Sequence, residues 1–349
     1  MFLKYLSELH GVSGNEKDVR DYIIENIDNN VDSYRVDKIG NLLATKKGKS
    51  NPAIKVVLTA HMDEVGLFIT EITSEGYLKF QTIGYMDVNI LVSKPVIINN
   101  SVYGVIGSKA IHLQKPEERK QSFLIDQLYI DIGANSKEEA EKNVKLGDYA
   151  GFTTAFTSFG SGFYKGKALD NRAGCAVIME LLKQQYNCDL TTVFTVQEEL
   201  GLRGSKIISN YLNADLAIVV ETTSAMDNQE QDRENWVVEL GQGPACSLMD
   251  QATIYRPELI KKTIQIAESY GIPLQLREGT AAANDAGNIH LAGAGIPTIT
   301  ISIPCRYIHS MSSVISQSDY TNCIELINLI LNNCQEYINL PHRGWEVMK

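Results

Sequence analysis

The chain has no CxxC pair, no long apolar run and no excess of positive charge, and each lack removes a class of protein. Its six cysteines (Cys175, Cys188, Cys246, Cys305, Cys323 and Cys334) are scattered over 349 residues. That spacing fits reduced thiols in a cytoplasmic protein rather than a disulfide frame or a Cys-type structural zinc site. Cys305 lies close to His309 but reads as a core thiol, because free cysteine is commonly buried. No apolar stretch is long enough to span a bilayer. The first ten residues lack an apolar core and a small-residue cleavage site, so no signal peptide is expected. A net charge of −10 argues against nucleic acid or an anionic membrane as a partner. HExxH and GxSxG are also missing, and with them the defining elements of single-zinc helix proteases and serine hydrolases.

What is present is acid and imidazole at the ends of buried runs. Thr191-Thr-Val-Phe-Thr-Val196 leads, past Gln197, into Glu198 and Glu199. Ile54-Lys-Val-Val-Leu-Thr-Ala60 runs into His61-Met-Asp63-Glu64, and Leu216-Ala-Ile-Val-Val220 runs into Glu221. Charge at the rim of a sheet is costly unless a cation or a reacting proton uses it. The pattern therefore predicts a metal-dependent hydrolase.

The periodicity sets the frame. Ser13-Gly-Asn-Glu16 resembles a capping box, and Val19, Tyr22, Ile23 and Ile27 follow at helical spacing. Strands are predicted near 33–37 and 42–45, with Gly40-Asn41 as the turn. From about 67 to 163 short alternating strands dominate, as in an inserted barrel or sandwich. After Ala168 a βα rhythm resumes, with helices at 172–186, 204–212, 257–270 and 320–337 and strands at 191–196, 216–220, 274–277 and 298–303. The fold class is α/β: a three-layer α/β/α catalytic domain with a mixed sheet (1–66 and 164–349), plus a small inserted β-barrel-like domain (67–163).

Five residues have the identity and position of metal ligands: His61, Asp170, Glu199, Glu221 and His309. Imidazole and carboxylate together suit zinc, cobalt or manganese. Singly, each has a plainer reading. A lone His at a strand end is commonly a satisfied structural group, and Asp170 precedes a helix, where Asp is a favoured N-cap. Gly160-Ser-Gly-Phe-Tyr-Lys-Gly166 has the wrong spacing for a phosphate loop and reads as a flexible interdomain crossover. His112 and His290 read as structural, His10 and His342 as exposed.

Four segments occur in order: Ala60-His-Met-Asp-Glu-Val-Gly66, Lys167-Ala-Leu-Asp-Asn-Arg-Ala-Gly174, Val196-Gln-Glu-Glu-Leu-Gly-Leu-Arg-Gly-Ser205 and Ile303-Pro-Cys-Arg-Tyr-Ile-His-Ser310. Together they resemble the motifs of the TET-type metalloaminopeptidases, the family of glutamyl and deblocking aminopeptidases. The resemblance spans nearly the whole chain. It implies two metal ions per subunit, one held by His61 and Glu221, the other by Glu199 and His309, with Asp170 bridging. It implies Glu198 as general base, attack by a metal-bridging hydroxide, and Asp63 orienting His61 from behind. Short peptides with a free N-terminus are the implied substrates, and self-association of dimers to a dodecamer the implied assembly, with the inserted domain serving it. The chain departs from the common pattern at Glu221, where many relatives have Asp, and in a loose Glu278–Gly287 stretch, where Asp285 is carried over as a substrate-site or structural acid. Thr82-Ile-Gly-Tyr-Met-Asp87 lacks a second glycine and a Trp. Two other readings stay open: a carboxypeptidase or deacylase of similar core, with Arg306 as the cation near a ligand, and a non-catalytic scaffold.

Overall fold

The computed structural model describes residues 1–51, 53–228 and 232–340. Its large sheet is built on four strands: β3 (Lys55–His61), β12 (Asp189–Thr195), β13 (Leu216–Ser224) and β16 (Thr298–Arg306). They are nearly continuous runs of buried residues, as strands covered on both faces must be. β12 pairs parallel with β3, β3 with β13 and β13 with β16. Antiparallel strands extend both sides: β1 (Ser33–Val36) and β2 (Leu42–Lys46) beyond β12, then β17 (Ser313–Ser316), β11 (Phe163–Gly166) and β10 (Thr157–Phe159) beyond β16. Short β14 (Ala245–Ser247) pairs with β16 and with β15 (Gln275–Arg277).

Helices cover this sheet in the expected α/β/α layering. α1 (Phe2–Glu8), α4 (Leu169–Leu181) and α8 (Gln317–Asn332) pack together, with α4 against β3 and β13 and α8 against β16. α5 (Arg203–Ile208) packs on α7 (Ala286–Ile289). α6 (Pro257–Tyr270) opens on proline and closes on Gly271 in the left-handed region, the asymmetry that its sequence predicts. α9 (Cys334–Ile338) follows α8, and α2 (Lys17–Ile27) and α3 (Lys137–Ala140) lie earlier in the chain. None of the described helices is long and apolar enough to cross a membrane.

Between β3 and β10 six strands close a barrel in the order β4 (Gly66–Ile72), β5 (Leu78–Ile83), β8 (Tyr129–Asp131), β7 (Val102–Gly107), β6 (Pro95–Ile98) and β9 (Tyr149–Phe152). Closure removes open strand edges. Leu67, Ile69, Leu78, Phe80, Val96 and Ile130 fill it as a core separate from that of the sheet.

Three local expectations change. Gly160 and Gly162 have positive φ and sit in a hairpin that joins β10 to β11 within the sheet, not in a crossover between domains. Glu16 stands at the N-cap of α2 without a capping bond. His10 is half-buried and His112 is exposed, the reverse of their expected roles. His342 lies outside the described residues.

Candidate metal centre

Parallel strands deliver their carboxyl ends to one edge of a sheet, and the candidate ligands gather there. β3 ends on His61, β12 ends just before Glu198 and Glu199, and β16 leads into the loop that carries His309. Asp170 comes from the junction of β11 and α4. Glu221 lies inside β13, which continues to Ser224 rather than ending where its apolar run stops.

These residues form two groups. His61, Asp170 and Glu221 each place one donor atom within 4.8 Å of the others, and so do Asp170, Glu199 and His309. Asp170 belongs to both and divides its oxygens: Oδ1 is 3.4 Å from His61 Nε2, and Oδ2 is 3.3 Å from His309 Nε2. Glu221 Oε1 is 3.4 Å from His61 Nε2, and Glu199 Oε2 is 3.3 Å from His309 Nε2. Such distances are long for hydrogen bonds. They match the edge of a tetrahedron whose metal–ligand bonds are about 2.0–2.1 Å. Asp170 is no N-cap: its Oδ1 accepts a hydrogen bond from Thr222 Oγ1 at 2.7 Å and it faces both imidazoles. Glu198 belongs to neither group.

The electrostatics ask for positive charge. Burial pushes Glu199 up to about 8 and Glu221 up to about 7, with Asp170 adding to both. Burial alone would raise Asp170 too, but bonds to His309 and His61 hold it far below the usual carboxylate range. His309 is raised to about 9 against its own burial, chiefly by Asp170 and Glu199. His61 is raised against burial by Glu221 and Glu198. Two imidazoles cannot balance this many carboxylates, and Glu221 Oε2 is buried with no hydrogen-bond partner. The donor set therefore fits divalent cations.

Asp63 is buried beside His61, but its firmest bonds go elsewhere. Its Oδ1 is 3.4 Å from His61 Nδ1, while its own carbonyl oxygen is 3.2 Å from the same nitrogen. The carboxylate accepts the Glu198 N–H at 3.0 Å and the Glu199 N–H at 3.1 Å, plus the Ser13 hydroxyl at 2.6 Å. It thus holds the backbone from which one glutamate enters a ligand group and the other does not. Gly204 belongs to the same turn: a Cβ there would lie 2.4 Å from both Asn41 Oδ1 and the Val196 carbonyl oxygen. Lys167 and Arg172, which bracket Asp170 in sequence, fasten its junction to the end of β3. Lys167 Nζ donates to Glu64 at 2.7 Å, and Arg172 donates to Glu64 at 3.1 Å and to the Met62 carbonyl at 2.6 Å.

The groups open into a cavity of about 370 Å³ that Glu198, Tyr85, Thr223, Ser247, Asp250 and Arg277 also line. Arg306 is not available to it as a free cation, because Asp227 engages its Nε at 2.6 Å and its Nη2 at 2.7 Å. Arg277 is the cation that sequence reasoning missed. It donates to Thr223 Oγ1 and the Ala281 carbonyl, both at 2.9 Å, and to the Gly279 carbonyl. All three acceptors are neutral. Asp250 is held by the amides of Ala252 and Thr253 and by the Tyr255 hydroxyl. Asp285 sits behind the cavity, accepting from Thr195 Oγ1 at 2.5 Å. His290 bonds within its own turn, to the Ala286 carbonyl at 2.7 Å.

Fold and site together are those of an α/β peptidase with an inserted barrel, its candidate ligands gathered at one edge of the sheet. The chain belongs to the M42 glutamyl aminopeptidase family, whose profile matches residues 40–326. It is 32% identical over 339 residues to the lysyl aminopeptidase of Pyrococcus furiosus, covering 94% of this chain and 95% of that one. An aminopeptidase from the archaeon Desulfurococcus kamchatkensis superposes with a TM-score of 0.94 at 33% identity, over 100% of this chain and 98% of the other. The TET1 peptidase of Pyrococcus horikoshii, described as assembling into a tetrahedron or a large octahedral shell, matches at TM-score 0.84 and 32% identity, over 94% and 98% of the two chains.

Proposed function

We propose that this aminopeptidase removes N-terminal residues from short peptides with two divalent ions, zinc or cobalt, and with Glu198 as general base. Peptidases of the family depend on metal. The observation that carries the finer reading is the pair of ligand groups sharing Asp170, with Glu198 beside them but in neither. His61 and Glu221 would hold one ion, Glu199 and His309 the other, and Asp170 both. Ions so held would polarise the scissile carbonyl and acidify a water.

The protein's own part follows from its side chains. Glu198 lines the cavity, and burial raises its pKa well above the usual value, with Glu221, Asp285 and Glu199 adding to this against His61. A raised carboxylate suits a group that accepts a proton from water and delivers it to the leaving amine nitrogen. The acidic wall complements the substrate's free α-ammonium group, which is why cleavage would begin at the N-terminus. Pairing of Arg306 with Asp227 weakens the carboxypeptidase and deacylase alternative, which relied on that cation. An idle glutamate beside a full ligand set weakens the scaffold alternative. The test is a panel of amino-acid p-nitroanilides, N-acylated analogues and C-terminal substrates with added Zn²⁺ or Co²⁺. Only substrates with a free amine should be cleaved, and a chelator should stop the reaction; cleavage confined to N-acylated or C-terminal substrates would overturn the reading.

Arg277 bears on the preferred residue. A guanidinium with neutral acceptors in a substrate cavity favours a carboxylate side chain at the N-terminus. Arg277→Ala is expected to lower kcat/KM for glutamyl p-nitroanilide relative to alanyl p-nitroanilide by about ten- to a hundredfold, the worth of a charge-assisted hydrogen bond. An unchanged ratio would place the side-chain pocket elsewhere.

For assembly, the 67–163 block serves in this reading as an inserted module on a catalytic domain of 1–66 and 164–349, less β10 (Thr157–Phe159), which pairs with β11 in the large sheet. Exposed Tyr103 on β7, and Ile111 and Leu113 just after it, support a contact between copies there, dimers building a dodecamer. Cytoplasmic location is part of the same reading.

A further inference from the structure

Four successive amides beyond the end of β12 are each captured by a side chain from a distant part of the sequence. The Val196 N–H donates to Asn41 Oδ1 at 3.0 Å and the Gln197 N–H to Glu16 Oε1 at 3.1 Å; those of Glu198 and Glu199 go to the two oxygens of Asp63. Gln197 has a φ of 54°, in the left-handed region that a residue with a side chain rarely adopts. A backbone in that region persists only where its surroundings hold it.

Glu16 is the side chain that accepts from its N–H. It is 4% exposed, and the same Oε1 that accepts from Gln197 also accepts from the Gly14 N–H at 2.7 Å. One oxygen shared between two amides therefore ties the N-terminal segment to the residue preceding Glu198. The Ser13-Gly-Asn-Glu16 pattern resembles a capping box, yet neither side chain caps α2. Ser13 Oγ donates to Asp63, and Glu16 reaches across to Gln197. Both converge on the turn that carries Glu198. Glu16 does not line the cavity, so it acts through that turn and not on substrate.

We propose that Glu16 is a positioning residue for proton transfer: through the Gln197 amide it fixes the left-handed turn that aims the Glu198 carboxylate into the cavity. The inference rests on the reading of Glu198 as the base. A reacting group misplaced by about 1 Å can lose on the order of 10²-fold in rate. Position, not charge, is the variable, and three substitutions separate them.

Glu16→Gln keeps a carbonyl oxygen where Oε1 stands and should retain wild-type kcat. Glu16→Asp keeps the charge but withdraws the acceptor by one methylene; its kcat should fall by about 10- to 10²-fold at unchanged KM and unchanged bound metal. Should Glu16→Asp not fold, Glu16→Asn against Glu16→Gln makes the same comparison without the charge. Placed in a Glu198→Gln background, Glu16→Asp should cost nothing further, because it acts through the missing base. Wild-type kcat in the shortened variant, an equal loss in Glu16→Gln, loss through KM or metal content, or additivity with Glu198→Gln would each overturn the proposal. If Glu198→Gln itself turns over normally, the base assignment falls and takes this inference with it. An inactive Glu198→Gln beside a fully active Glu16→Asp removes the inference alone.

Discussion

Purified Glu198→Gln protein is expected to hold its full complement of metal and to turn over about 10²- to 10⁴-fold more slowly than wild type. In activation free energy that is a loss of about 3–5 kcal/mol. The substitution keeps the size of the side chain and the backbone bond from the Glu198 N–H to Asp63 Oδ1. It removes only the carboxylate that would take and return a proton. Glu198 stands outside both ligand groups, so its amide form removes no donor from either. Glu199→Gln is the contrasting control, because Glu199 Oε2 lies 3.3 Å from His309 Nε2 within a group. Elemental analysis alongside kcat reads both outcomes. Loss of metal in Glu198→Gln, with metal retained in Glu199→Gln, would mean that the two glutamates exchange roles.

Asp170→Ala should be the most damaging ligand change, with bound metal falling toward zero and activity lost with it. Asp170 alone contributes to both groups, through Oδ1 on the His61 side and Oδ2 on the His309 side. His309→Ala touches one group only and should bring bound metal toward one ion per chain. The comparison is made by elemental analysis after dialysis against limiting Zn²⁺, because weakened sites can refill at high metal. Two ions retained in Asp170→Ala would remove the bridge, and unchanged stoichiometry in His309→Ala would remove that imidazole from the ligand set. Loss of the Thr222 hydroxyl's acceptor is a smaller effect of the same substitution, a net hydrogen bond of about 1 kcal/mol.

Much of the site was legible because its residues sit where patterns change. A strand buried on both faces reads as a continuous apolar run, so the acids and imidazole that end β3 and β12 stand out in the sequence. Glu221 was legible for the same reason, although the strand runs past it. Lys167 and Arg172 appeared in a motif, but their bonds to Glu64 and to main-chain carbonyls were not legible. Those partners lie more than 100 residues away in sequence. Arg277 gave no signal at all: it ends a three-residue strand, and nothing in its neighbours says which way the side chain turns.

Ser13 and Glu16 show where local reading fails for a physical reason. A hydroxyl followed three residues later by a carboxylate suits the mutual bonding of a capping box, and the same two groups serve equally well as partners for distant atoms. Which outcome holds depends on what packs against the segment, here the end of β12 and Asp63.

By itself the sequence determined the layered α/β frame, the interrupting β-rich block and the identities of the five candidate ligands and the proposed base. Burial of apolar runs and the cost of charge at their ends are local properties of the chain. Only the tertiary structure decided that Asp170 divides its oxygens between two histidines, that Asp227 occupies Arg306 while Arg277 faces the cavity, and that Glu16 supports the turn before Glu198. Each of those is a distance between atoms remote in sequence, set by how strands and helices pack, and no periodicity along the chain encodes it.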